Sequence, residues 1–177
     1  MCIRDSTKGV YSMVEDEQTL REIRYIGKLL FYDPILSGNN MRSCASCHKP
    51  TEYFTDTTVR SALQFDRKNP LPRNTPTLIN SVYNHLLMLD GKHISLQGHG
   101  MDVMTSASEM SGSNEKELLR KVLSCKEYKK ALEKFATYTP AHPQVTMPHV
   151  FSSIIFYYSD FSKYYSSFDD AFNLSKP

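Results

Sequence analysis

Apolar side chains at Leu20, Ile23, Ile26 and Leu30 recur at steps of three, three and four, a spacing that gathers them on one face of a helix. The stretch Glu15 to Phe31 therefore predicts an amphipathic helix, with Glu15, Asp16 and Glu17 in the first turn, where the helix dipole favours negative charge. Asp33-Pro34 ends it, and Leu36 to Asn40 reads as a turn. Pro50 stops any later helix, and Phe54-Thr55-Asp56 opens an irregular stretch that runs into the polar, proline-bearing segment Thr57 to Arg73. Loops of that length in compact domains are often functional. Thr75-Pro76 predicts an N-cap with proline at the first helical position, opening a short helix through Leu78, Ile79 and Val82. Asp90-Gly91 marks a turn, and Ile94 to Met104 predicts a helix with Ile94, Met101 and Met104 inward. Asn114 and Glu117 have the spacing of a capping pair, starting a helix through Leu118, Leu119, Val122 and Leu123. Glu127 to Phe135 continues as another helical piece. Pro140 and Pro143 separate it from a last helix, Thr146 to Tyr158, with Val150, Ile154, Ile155 and Tyr158 inward. Strand alternation is almost absent and no internal repeat occurs, so the fold class is mainly α with long loops.

The chain has 177 residues, which suits a single domain. Hydrophobic residues make up 40%, a lean share that a large planar cofactor would supplement with its own apolar surface. The net charge of +2 with scattered lysine and arginine gives no argument for nucleic acid or an anionic membrane surface. No run of about eighteen apolar residues occurs, so no transmembrane helix is expected.

The chemistry concentrates in Cys44-Ala45-Ser46-Cys47-His48. Two cysteines two residues apart, followed at once by histidine, form the attachment signature of c-type haem. Each thiol adds across one haem vinyl group, and the two-residue gap lets one segment reach both vinyls. His48 then falls beneath the ring as the proximal iron ligand. A structural zinc site needs four ligands, and the remaining cysteines, Cys2 and Cys125, are isolated. A thioredoxin-type site needs a strand before the motif, and a Cys44–Cys47 disulfide would leave His48 unexplained. Haem c is normally attached outside the cytoplasm, so a periplasmic location is expected, although Met1 to Val14 holds no apolar signal segment.

Five motifs in order carry a wider resemblance: Gly27-Lys28-Leu29-Leu30-Phe31-Tyr32-Asp33-Pro34-Ile35-Leu36-Ser37, Ser43 to His48 with Phe54-Thr55-Asp56, Pro72-Arg73-Asn74-Thr75-Pro76-Thr77-Leu78, Asp90-Gly91-Lys92 and Ser108-Glu109-Met110. Over about residues 20 to 165 the chain resembles the N-terminal haem domain of the bacterial di-haem cytochrome c peroxidases, which include the MauG-like proteins. The resemblance implies a cytochrome c-like domain over 15–165, an unassigned segment 1–14, and a tail, 166–177, leading to a second haem domain that this chain lacks. It implies reduction of hydrogen peroxide with electrons from a small donor such as cytochrome c, and it allows a homodimer. Glu109 matches the distal acid/base glutamate. His99 stands where many relatives carry a distal glutamine, placed to hydrogen-bond peroxide or to ligate the iron. Arg73 and Asn74 match the family's Arg-Asn pair, whose asparagine helps hold a calcium ion at the junction of two haem domains; alternatively Arg73 reaches a haem propionate and Asn74 caps the following helix. His85, His93, His142 and His149 receive no assignment. There are also departures. Leu89 occupies the position of the bridging tryptophan, the loop Ser61 to Leu71 has no histidine, and Lys92 replaces an arginine. The alternative reading is a non-enzymatic electron-transfer cytochrome whose sixth ligand is His99 or one of Met88, Met101, Met104 and Met110.

Overall fold

The structure, a computed structural model, describes residues 14–56, 62–112, 114–139, 141 and 143–163. Cys2, His142, most of the segment 1–14, residues 57–61 of the long loop, and the tail 166–177 lie outside the described residues. Among the described residues there are five α-helices and no strand: α1 (Glu17–Tyr32), α2 (Leu96–Thr105), α3 (Glu115–Ser124), α4 (Lys126–Ala136) and α5 (Met147–Ser159). Pairing is limited to isolated bridges such as Leu87 with His93.

α1 forms where the apolar spacing placed it, and the polar residue at its head explains its start. Asp16 sits just outside the helix and accepts hydrogen bonds from the Gln18 and Thr19 amides, both at 3.1 Å. Its buried stripe is Ile23, Ile26, Gly27, Leu30 and Phe31. α5 is the central helix: ten of its thirteen residues are buried, and it packs on each of the other four helices. A helix apolar on all sides belongs in the middle of a fold. α1 lies closest to it because residue 27 is glycine; a methyl group there would collide with the Ser153 carbonyl. The head of α5 is closed by His149, whose Nδ1 accepts the Thr146 amide at 3.0 Å.

Two sequence expectations fail. No helix opens at Thr75-Pro76; only a short 3-10 turn, Ser81–Tyr83, forms there. The Thr75 amide and hydroxyl are both engaged by Asp56, at 2.9 and 3.0 Å, and Asn80 adopts a left-handed φ of 60° that breaks any helical run. Long-range bonding has overridden a local capping pattern. Ile94 is 82% exposed, whereas Met104 is buried and Met101 half-buried. Ser95 caps α2, accepting the Gly98 amide at 3.1 Å, so Ile94 falls outside the helix and off its inward face. Asn114 caps α3 as expected, accepting the Glu117 amide at 3.0 Å.

The connections that bring the haem motif to the core are held by side chains. Tyr128 of α4 donates to Asp33 at 2.7 Å, and Lys121 of α3 donates to the Ser37 carbonyl at 2.6 Å. Gly38 lets the turn before the motif lie against Met110-Ser111: its amide donates to the Met110 carbonyl at 2.9 Å, and a side chain would strike the Ser111 carbonyl.

Candidate haem site

The motif is a single 3-10 turn, Cys44–Ser46, with Cys47 at its C-cap, and the His48 amide donates to the Cys44 carbonyl at 2.9 Å. Both cysteines are free thiols. Burial pushes the Cys44 thiol up to about 12. It raises the Cys47 thiol too, with the Arg42 charge pulling the other way. Such surroundings oppose a thiolate, but a thioether is neutral and loses nothing there. His48 Nδ1 lies 3.0 Å from the Phe54 carbonyl oxygen. A carbonyl only accepts, so Nδ1 carries the hydrogen and Nε2 keeps its lone pair. Metal-binding histidines are usually oriented in this way, by donating the second ring N–H to a carbonyl. Loss of water around the ring lowers the His48 proton affinity, against the opposing pull of the Phe54 and Pro76 carbonyls. A neutral imidazole is the form that ligates. These residues fit a covalently held haem.

Three polar residues frame the turn: Asp56 and Arg42, both buried, and Thr55, half-buried. Asp56 accepts from the Thr75 amide and hydroxyl and from the Ala62 amide at 2.8 Å, tying the long loop to the segment that orients His48. Thr55 adds a hydroxyl bond to the Thr75 carbonyl. Arg42 uses two arms of its guanidinium: Nη1 reaches the Glu109 carbonyl at 3.0 Å and Nη2 the Gln64 carbonyl at 2.8 Å. The Phe65 amide donates to the Ser108 carbonyl at 2.7 Å, so the loop also closes on the Glu109 segment. Sequence reasoning passed over Arg42; its signal was a long cation two residues before Cys44.

Glu109 is half-buried, and its charge acts on the Cys47 sulfur together with those of Arg42 and Asp56. His99, on α2, lies close enough to His48 for each charge to count, and burial lowers its proton affinity. Its Nδ1 is buried without a hydrogen-bond partner among the described residues. Glu109 and His99 thus both border the haem motif, though no hydrogen bond joins them among the described residues. Arg73 and Asn74 are exposed, with Arg73 facing Asp90 at 3.8 Å. No cluster of three or more His, Cys, Asp or Glu fit to hold an ion occurs among the described residues. Met104 and Met110 are buried, while Met88 is exposed. A cleft of about 260 Å³ between α1 and α5, lined by Arg21, Arg24, Lys28 and Tyr157 among others, shares none of these candidate residues.

A mainly helical fold with a haem-attachment turn backed by an oriented histidine defines a cytochrome c-type haem domain. The chain belongs to the di-haem cytochrome c peroxidase family, whose sequence profile matches residues 21–176. It is 38% identical over 88 residues to the methylamine utilization protein MauG of Methylorubrum extorquens, a match covering 50% of this chain and 24% of that protein. It is 33% identical over 87 residues to cytochrome c551 peroxidase of Pseudomonas aeruginosa, covering 49% and 25%. The fold matches the crystal structure of a MauG-like protein associated with microbial copper homeostasis, with a TM-score of 0.73 at 21% identity, over 94% of this chain and 47% of that one. The diheme peroxidase BthA from Burkholderia thailandensis matches at a TM-score of 0.70 and 21% identity, over 93% and 44%. The matches to these curated relatives thus span about a quarter of their length, and the structural matches about half of theirs.

Proposed function

We propose that this chain is the peroxide-reactive haem domain of a cytochrome c peroxidase, reducing hydrogen peroxide to water with electrons from a small donor protein such as a cytochrome c. The observation that carries the reading is Glu109, held beside the haem-attachment turn by the Arg42 bond to its own carbonyl. Cys44 and Cys47 would hold the haem through thioethers and His48 Nε2 would take the iron. Haem bound there supplies the centre at which the peroxide O–O bond is broken. The Glu109 carboxylate takes the first peroxide proton and returns it to the departing hydroxyl. His99 donates a hydrogen bond to the bound peroxide, the part a polar group plays where negative charge develops.

Leu86, Met88, Leu89 and Ile94 form an exposed apolar run, with Leu89 at 84% exposure. Surfaces of this kind commonly mark docking faces, and in this reading the face packs on a second haem domain, as does Arg73 with its partner Asp90. Asn74 would be one ligand of a calcium ion at that junction. Calcium takes six to eight oxygens, and in this reading the second haem domain supplies further ligands. The expected location is the periplasm. No helix among the described residues is long and apolar enough to cross a membrane.

The test is a peroxide titration of the haem-loaded chain followed by visible absorption. A fast Soret change at stoichiometric peroxide that disappears in Glu109→Gln is expected. A spectrum indifferent to peroxide would instead favour the electron-transfer cytochrome.

A further inference from the structure

Reducing one hydrogen peroxide to two waters breaks the O–O bond and takes up two electrons and two protons. A donor protein supplies the electrons, but the protons must come from solvent, and the Nδ1 of half-buried His99 is shielded from it. The residues between His99 and the surface form an ordered series. His93 is fixed by its backbone, whose carbonyl accepts the Leu87 amide at 2.8 Å. Its Nε2 lies 2.9 Å from Asp102 Oδ2. Asp102 sits three residues after His99 on α2, and Lys92 Nζ at 2.5 Å holds its carboxyl below the usual carboxylate range. An ionised carboxylate only accepts, so Nε2 of His93 carries hydrogen and Nδ1 keeps a lone pair. That Nδ1 faces α2 at Gly98, where a side-chain carbon would stand 3.9 Å away. The His93 and His99 rings lie 5.5 Å apart between centroids, inclined by 38°. His99 Nδ1 is the buried ring nitrogen without a partner. A buried, unpaired ring nitrogen is unfavourable unless something fills the gap, and one water between two imidazoles does so.

We propose that His93, oriented by Asp102, is the proton-transfer residue between solvent and His99, an assignment that rests on the peroxide reading above. His93 takes a proton from solvent at Nδ1, its charge balanced by Asp102. It passes that proton through the intervening water to His99 Nδ1, and His99 releases its Nε2 proton toward the peroxide side. Each passage supplies one of the two protons and leaves the His99 hydrogen at Nδ1; a flip of the ring returns it to the peroxide side before the next passage. The charged groups acting on His99 are His48, His93, Lys92 and Asp102. His93 Nδ1 lies beside Gly98, which is exposed, while Lys92 and Asp102 flank the Nε2 edge, with side chains 62% and 48% exposed.

The test uses the haem-loaded chain with ring-¹⁵N histidine, reduced and bound to carbon monoxide so that the haem is diamagnetic. Exchange of the His99 ring N–H with water is read by NMR. His93→Phe is expected to slow it about tenfold or more. His93→Gln, which keeps a bond to Asp102 but cannot relay a proton, should be equally slow and guards against a mere packing defect. Hydrogen cyanide must shed a proton to bind the ferric iron, so its association rate should fall in parallel in both variants. Unchanged exchange and cyanide association in both variants overturn the assignment. A wild-type haem that ignores peroxide would sink the peroxidase reading and leave the route standing, because neither readout uses peroxide.

Discussion

Asp56 offers the sharpest test of what holds the haem turn in place. Asp56 is 5% exposed, and its carboxylate takes three bonds: Oδ1 from the Thr75 amide, and Oδ2 from the Thr75 hydroxyl and the Ala62 amide. Asp56→Asn keeps the shape but has one acceptor oxygen. In either orientation the amide NH₂ faces a backbone N–H, that of Thr75 or that of Ala62. One donor is then left buried and unpaired, costing about 1–3 kcal/mol, and the surviving bonds lose the added strength of a charged acceptor. The expected loss is about 2–4 kcal/mol. At a urea m-value of about 2 kcal/mol per molar, the unfolding midpoint moves down by about 1–2 M. The assay is urea unfolding of the haem-loaded chain by far-UV circular dichroism. Asp56→Asn combined with Thr75→Val should show a coupling energy of about 1–3 kcal/mol. A single-variant loss below about 0.5 kcal/mol, or strict additivity with Thr75→Val, would refute the view that this carboxylate ties the long loop to the segment that orients His48.

Gly27→Ala drives a methyl group into the Ser153 carbonyl; a loss of about 1–3 kcal/mol in thermal unfolding is expected, against the gain of up to about 1 kcal/mol an open helical site would give, and a gain would show that α1 and α5 lie further apart than described. Arg42→Lys removes the fork that spans the Glu109 and Gln64 carbonyls; the rate of the peroxide-induced Soret change should fall about tenfold or more, and an unchanged rate would show that Glu109 needs no such anchor. Burial lowers the His99 proton affinity in the folded chain. The unfolded chain therefore binds the proton first as pH falls below about 6.5, so His99 contributes stability above that pH that is lost toward pH 5. The slope reaches at most about 1.4 kcal/mol per pH unit for one group. His99→Gln should flatten unfolding free energy measured between pH 7 and 5, and an equal slope in both proteins would count against a desolvated His99.

Much of the helical frame was legible in the chain itself. The spacing of Leu20, Ile23, Ile26 and Leu30, the Asn114 cap and the apolar run of α5 are local signals, and the helices formed within a residue or two of where those signals placed them. The haem turn was legible for a different reason. In the proposed reading, attachment to one rigid ring would require Cys44, Cys47 and His48 to be close in sequence, and such chemistry is written as a short motif.

Tertiary structure alone decided the rest. Thr75-Pro76 has the local form of a helix start, but Asp56, nineteen residues earlier, engages both Thr75 donors, and a pair of buried bonds outweighs a capping preference. Ile94 looked inward by spacing until Ser95 set where α2 begins. Arg42 became part of the site only when folding brought Glu109, sixty-seven residues away, against it. His93 carried no signal at all; its place depends on a bridge to Leu87, a carboxylate on α2 and a half-buried histidine on the same helix. Periodicity and covalent attachment are properties of a few consecutive residues and can be read along the chain. Partners for buried donors and charges are chosen by whatever the fold brings within hydrogen-bond reach, and only the three-dimensional arrangement supplies them.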